Sequence, residues 1–304
     1  MNKIVLLVLF IGSLTLKAQD PHFSQIFTPS MYLNPALTGS LNGWVANTQY
    51  RNQWPEIEGN YITTHFGLQK KLNKPNIGLG LSLLSDQEGG VISTTAVGFN
   101  FSKKWKFSDL VDLSTGLNTE LRSRSVDWSE LTFGSQINPQ VGFTSTTNEV
   151  ISTITYFNLS LGLDLRIQNA NIGFVASNLL QPDESVYGGG YLPMRNSIYG
   201  RYLFELNDAL SFIPVVKYEN QGDFSQFVMG SSVRYKFITS FVGFRNEDAA
   251  IVGLGVFFNR FRFNYTYDIT TSKLSNETGG AHEVGLIFRF GGGEEGYEDG
   301  DAAF

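Results

Sequence analysis

The chain contains no cysteine. That excludes disulfide staples, thiolate metal sites and a lipid-acceptor thiol behind a leader. Charged residues make up only 16% of it, below the ~25% of ordinary globular proteins. The net charge of −6 argues against the basic footprint of a nucleic-acid binder. The three histidines, His22, His65 and His282, are far apart. There is no Gly-x-Ser-x-Gly elbow, no His-Glu-x-x-His pair and no EF-hand spacing. Ser24 beside His22, and His282 beside Glu283, come nearest to a catalytic pairing, and neither makes an enzyme the expectation. No cofactor and no metal are expected. Asp86, Glu88, Asp183 and Glu184 could hold Ca²⁺ through oxygen ligands, but read more simply as solvated carboxylates. Beyond the first 18 residues, no apolar run approaches the roughly 18 residues of a membrane-spanning helix.

What the chain does have is alternation. From Phe157 to Gln168 every odd residue is apolar and every even one is polar, charged or glycine. Successive side chains of a strand point to opposite faces, so this stretch has one apolar and one wet face. It is as long as a tilted strand must be to cross a bilayer, whereas strands of soluble sheets average roughly 5 to 6 residues. The pattern recurs at approximately 44–52, 61–71, 76–85, 92–106, 110–122, 154–168, 170–179, 196–206, 209–219, 225–237, 239–246, 249–258, 261–270 and 281–290. Segments 44–52 and 209–219 fit less well, and Pro214 in the latter cannot donate to a ladder. The fold expected is all-β: a transmembrane antiparallel barrel of roughly 14 strands.

Val97, Phe99 and Phe101, Val252 to Phe258 in steps of two, Phe261 to Tyr267 in steps of two, and Val284, Leu286, Phe288 and Phe290 belong to the lipid face. Gly98, Asn100, Gly253, Gly255, Arg262, Asn264, Thr266, Asp268, Glu283 and Arg289 belong to the lumen. Connections alternate short (71–75, 107–109, 169, 207–208, 238, 259–260) and mostly longer (53–60, 86–91, 123–153, 180–195, 220–224, 271–280), with Glu247–Asp248 an exception. Outer-membrane barrels sort their loops this way, short turns facing the periplasm. Trp105, Phe107, Tyr235, Phe237, Phe257, Phe261, Phe288 and Phe290 gather at the short-turn end, with Tyr265 and Tyr267 near the other, as interfacial girdles do. A soluble sandwich explains neither the strand length nor the sorting of loops.

Residues 1–18, with a basic start, an apolar core and Ala18, read as a signal peptide rather than an uncleaved anchor. Residues 44–290 form the expected barrel. Residues 19–43 carry no alternation and are expected against the periplasmic rim or in the lumen. Residues 291–304 are a glycine-rich acidic tail with Glu294, Glu295, Glu298, Asp299 and Asp301. An even strand number places both termini in the periplasm. The glycines at 78, 80, 98, 116, 253 and 255 suit inward positions where strands bend or a plug packs close. His65 is expected to face the lumen as a hydrogen-bonding residue.

The segments QDPHFSQ (19–25) and MYLNPA (31–36), with Gly39, resemble the opening of the PorP/SprF family. Tyr50–Trp54, Tyr265–Asp268, Gly280–Glu283 and Phe288–Phe290 are similar to its later signatures. The resemblance implies an outer-membrane component of type IX secretion and gliding machinery. Such a protein binds and helps export or anchor a large secreted adhesin through that adhesin's C-terminal domain, alongside periplasmic or outer-membrane components of the system. The motif residues Pro21, His22, Phe23, Ser24, Gln25, Tyr32, Asn34, Pro35, Arg51 and Trp54 are then candidates for partner contact. The tail departs from the family pattern.

Candidate lumen charges are Glu120, Arg122, Asp164, Arg166, Arg201, Arg234, Arg262, Asp268, Glu283 and Arg289. They fit an internal ion-pair network, or a substrate path if the barrel is a passive porin-like diffusion channel. Asn34 before Pro35 is held out of the helical region, so Leu33–Pro35 is expected as an extended turn leading into the first strand.

Overall fold

A computed structural model describes residues 20–28, 30–72, 76–130, 137–138, 142–143, 153–185, 189–246, 248–271 and 278–291. The expected signal peptide, residues 292–304 and most of 123–153 lie outside the described residues. Fourteen antiparallel strands close into a barrel. They are β1 (Trp44–Gln53), β2 (Tyr61–Leu72), β3 (Ile77–Glu88), β4 (Ile92–Lys106), β5 (Val111–Val126), β6 (Thr153–Ile167) and β7 (Ala170–Ser177). The second half holds β8 (Arg195–Tyr202, resumed at Phe204–Asn207), β9 (Leu210–Gln221), β10 (Phe224–Tyr235), β11 (Ile238–Arg245), β12 (Ala249–Phe258), β13 (Phe261–Thr270) and β14 (Ala281–Phe290). Each strand pairs with the next, and β14 closes on β1 from Trp44↔Phe290 to Gln53↔Ala281. Closure removes every sheet edge, as a sheet in lipid requires.

Alternation sets which face meets lipid. Phe99, Leu254 and Phe263 are exposed on the outside, while Asn100, Asn264, Thr266 and Glu283 are buried on the inside. Both strands that fitted the pattern poorly form in full. In β1 the inward Asn47, Gln49 and Arg51 are buried and the outward Ala46 and Thr48 are small, which blurs the contrast. In β9 the ladder to β8 stops at Arg201↔Val215 and resumes at Phe204↔Phe212. Pro214 falls in that gap, where no amide is needed.

The short turns pass through left-handed residues such as Gln168 (φ 53°) and Asn259 (φ 53°), matching the twist of paired strands. Loop asymmetry rests on the connections 54–60, 127–152, 178–194 and 271–280. The connection expected at 220–224 is a tight Gly222–Asp223 turn, because β9 and β10 run farther than their apolar pattern. Phe257 is a second correction. It shares the inward parity of Gly255 and is buried, with the Arg262 guanidinium 4.5 Å from its ring centre.

Candidate functional site: a filled lumen

Residues 20–28 and 30–43 run down the inside of the barrel. Asp20 sits at the long-loop end, among residues that end strands there, and Gly43 joins β1 at the short-turn end. The described chain therefore begins at the long-loop end and leaves the wall at Gly291, at the short-turn end. The segment's single regular element is the 3₁₀ turn Pro35–Leu37.

Its polar anchor is Ser24. The Ser24 hydroxyl accepts from Arg51 Nη1 (2.7 Å) and Arg245 Nη2 (2.5 Å) and donates to Asp268 Oδ2 (2.7 Å). That fills the two lone pairs and one proton of a hydroxyl. The backbone N–H groups of Ser24 and Gln25 both donate to the Glu283 carboxylate, at 2.6 and 3.1 Å. Arg51 bridges Asp268 (2.8 Å) and Glu283 (3.3 Å), and Arg245 reaches Asp268 (3.0 Å). Two guanidiniums and two carboxylates so neutralise one another out of water, which burial of ions demands. Ser24 is held by arginines and a carboxylate, not by an imidazole.

Two residues on, the surroundings turn apolar. Ile26 and Phe27 pack on Val215, Val228, Phe241 and Ile251, with the rings of Phe27 and Phe241 stacked at 4.6 Å. Lower still, Asn34 is fully buried and extended (φ −157°, ψ 121°), as a residue before proline should be. It leads into a cap and not directly into β1. Its Oδ1 accepts from Ala36 N (2.9 Å), and its Nδ2 donates to Leu163 O (2.9 Å) and Tyr199 Oη (3.1 Å). Tyr199 donates onward to Asp164 (2.6 Å). Glycines in the wall make room: a Cβ at Gly116 would lie 2.2 Å from Ala36 N, and one at Gly162 2.0 Å from Asn34 Oδ1.

At the long-loop mouth, Asp20 accepts from Arg122 (2.8 Å), Asn178 (2.5 Å) and Gln221 (3.1 Å), with Arg195 at 3.9 Å. Burial alone would raise its pKa. The Arg122 and Arg195 charges and the hydrogen bonds outweigh that and hold the carboxyl well below its usual range. The Tyr32 hydroxyl donates to Pro21 O (2.5 Å), its ring meets Phe23 edge-on at 5.0 Å and lies 5.1 Å from His65. His65 thus faces inward as expected but meets a ring, and its Nδ1 makes no hydrogen bond among the described residues. Burial, then Arg245 and Arg51, push the His22 pKa well below its ordinary value, so the imidazole is neutral. A cavity of about 30 Å³ beside His22, Gln25, Arg195 and Lys217 has room for little more than water.

The motif residues Pro21 to Gln25, Tyr32, Asn34 and Pro35 are thus brought together inside the barrel, with Arg51 beside them. Trp54 is apart, on the long-loop side, edge-on to Tyr61 at 5.6 Å. Among the lumen charges, Glu120 pairs with Arg122 (2.9 Å) and Arg166 with Asp112. Arg201 donates to Asn171 (3.0 Å), Arg234 to Ser211 (3.1 Å) and Arg262 to Asn264 (3.4 Å), and Arg289 is buried. Asp20, Asn178, Arg195, Tyr199, Gln221 and Arg245 escaped the sequence reading. Some had a signal: Arg245 continues the inward parity of Gly243, Tyr199 shares that of Arg201, and Asp20 lies within the 19–25 motif. Among the described residues no group of three or more His, Asp or Glu could hold a metal. Asp86 accepts from Thr63 and Glu88 from Arg124, while Asp183 accepts from Ser185, Gly189 and Gly190.

Residues 15–288 match the model of a family described as type IX secretion system membrane protein PorP/SprF. No curated protein matches the sequence. Among solved structures, the Ralstonia pickettii toluene transporter TbuX superposes with a TM-score of 0.50 at 10% identity, covering 86% of this chain and 93% of its own. The CymD monoaromatic hydrocarbon channel gives 0.51 at 11%, covering 86% and 92%. A TodX deltaS2S3 mutant, also a monoaromatic hydrocarbon channel, gives 0.50 at 11%, covering 84% and 92%. At these identities the likeness is one of fold.

Proposed function

Because this chain belongs to the PorP/SprF family of type IX secretion system membrane proteins, we propose that it binds a large secreted surface protein through that protein's C-terminal domain. By holding it there, the barrel helps to export or anchor it. The barrel is an outer-membrane protein. The short turns and Phe290 face the periplasm in this reading, so Asp20 lies at the outer mouth. Recognition takes place on the long-loop side, with periplasmic partners of the secretion system at the short-turn side.

The observation that carries this reading is the filled lumen. Residues 20–43 occupy the interior, which leaves the outer loops as the surface on which a large partner can act. The connection 178–194 is shaped for that. Its back is anchored, with Leu192 buried and Asn178 and Pro193 O bonded to the residues around Asp20. Its front shows Leu180, Met194 and Tyr191, the last 68% exposed. Exposed apolar side chains on an outer loop suit a contact surface.

The second reading is a passive channel for small solutes; two of the similar barrels are named a toluene transporter and a monoaromatic hydrocarbon channel. The same plug opposes it. A tagged copy purified from native membranes under mild extraction should bring an exported protein with it. Deleting the 123–153 and 180–195 loops should release that protein, and retention at full affinity would refute the loop assignment.

A further inference from the structure

The outer face of the wall is nearly free of charge. Among the described residues, the outward strand positions that carry a full charge are Lys70 on β2 and Lys103 on β4. A lipid-facing cation is costly at mid-bilayer and nearly free of cost at headgroup depth. Both lie near the short-turn ends of their strands, each against an aromatic ring. Lys70 Nζ is 4.9 Å from the centre of the Trp44 ring, and Lys103 Nζ is 5.5 Å from that of Trp105. The turns at the same end add Lys236, 5.6 Å from the Tyr235 ring, and Arg260, exposed between Phe258 and Phe261. Lys70, Lys236 and Arg260 form no ion pair among the described residues. Carboxylates at that end either share the inward parity (Asp112, Asp164, Glu205) or lie in the turns (Asp109, Asp208).

The long-loop end of the same face has other chemistry. One registered row runs through Tyr50, Thr64, Ser85, Thr95, Ser123 and Thr155, across β1 to β6. It offers hydroxyls and no charge. Contact with water alone gives no reason to set the outward cations at one rim. Headgroups of net negative charge give one, since each Lys or Arg near such a surface is worth about a fivefold preference. A ring covers one side of an ammonium and leaves N–H donors for phosphate oxygens. Indole and phenol rings, apolar in body and polar at the tip, sit beside them at headgroup depth.

We infer that the short-turn rim of the outer wall is a docking surface for anionic phospholipid headgroups. Lys70 and Lys236 hold the phosphates, with Trp44 and Tyr235 packed beside them and Arg260 adding charge. The inference rests on the barrel spanning a bilayer and not on the secretion reading. Its test reconstitutes the full chain in mixed vesicles of phosphatidylcholine and phosphatidylglycerol, with one lipid brominated at a time. Quenching of tryptophan fluorescence then reads which lipid lies against Trp44 and Trp105. A Trp54→Phe/Trp128→Phe variant leaves those two as the reporters. Phosphatidylglycerol should be preferred at least about threefold at about 50 mM salt, and the preference should fall toward unity at about 500 mM. Lys70→Gln/Lys236→Gln/Arg260→Gln should lower it by at least about twofold, while Lys70→Arg/Lys236→Arg should keep it. The salt series needs no substitution and stands if a variant fails to fold. Equal affinity for the two lipids at low salt, or a preference that the glutamine variant leaves untouched, would overturn the inference.

Discussion

The barrel wall and the segment inside it are built on different principles. In the wall, backbone groups satisfy one another along unbroken ladders, such as the fifteen consecutive pairs from Val111↔Ile167 to Ser125↔Thr153. Side chains there need only alternate. Between Asp20 and Gly43 the backbone makes only local turn bonds, such as Asn34 N to Ser30 O and Ser40 N to Leu37 O, and side chains of the wall supply further partners. Glu283 receives two N–H groups, the Gln69 side chain receives Gly39 N (2.6 Å), and the Ser102 hydroxyl donates to Thr38 O (2.5 Å). A wall of this kind tolerates substitution by class of residue. The filling depends on residue identity, because each lost partner leaves a buried group unsatisfied.

That difference can be attacked at graded points. Arg51→Leu should do the most damage, since Asp268 and Glu283 keep their burial and lose their shared cation. Removing one partner of a buried pair costs about 3–5 kcal/mol, read as a shift in the urea midpoint for unfolding from vesicles. Phe27→Ala follows, at about 3 kcal/mol for an aromatic lost from a packed cluster, and protease should then cut within 20–43 while the wall stays intact. Asn34→Ala removes the cap of the 3₁₀ turn and the link to Tyr199, for about 1–2 kcal/mol. On the wall, Leu254→Val should change stability by less than about 0.5 kcal/mol, because lipid fills the space a methylene leaves. A wall substitution as costly as Phe27→Ala would erase the distinction.

A separate effect is one of pH. His22 has a folded pKa below its ordinary value, so its neutral form is the one the plug accommodates. The folded state therefore binds fewer protons than the unfolded state in the window below pH 6.5. Its stabilising contribution is complete above that pH and falls as pH drops toward the folded pKa. His22→Gln should flatten the fall. Asp20, also lowered, keeps its charge as pH descends through its ordinary value near 3.8, and its contribution is lost only in stronger acid.

The same contrast explains what could be read from the chain. Alternation in a run such as Phe157–Gln168 answers to one physical demand, lipid on one side, and it located all fourteen strands. Strand ends were read short wherever they passed beyond the apolar band, as at Ser123–Val126 and Asp86–Glu88. Placement of 20–43 had no periodic signal. It depends on partners more than two hundred residues away, such as Ser24 with Asp268 and Glu283, whose relation to the motif only closure of the barrel creates. Wall glycines at 78, 80 and 116 did hint at a plug packed close, and the structure sets Thr38, Met31 and Ala36 against them. Phe257 was misplaced because girdle position was judged by height along the strand and not by parity.

The central claim is that the native barrel is closed by its own N-terminal segment. Planar-bilayer conductance tests it most directly, comparing the intact chain with Arg51→Leu/Phe27→Ala, in which both anchors are broken. A silent intact barrel and a conducting double variant are the expected pair. Steady current through the intact chain, unchanged by the double substitution, would contradict the account.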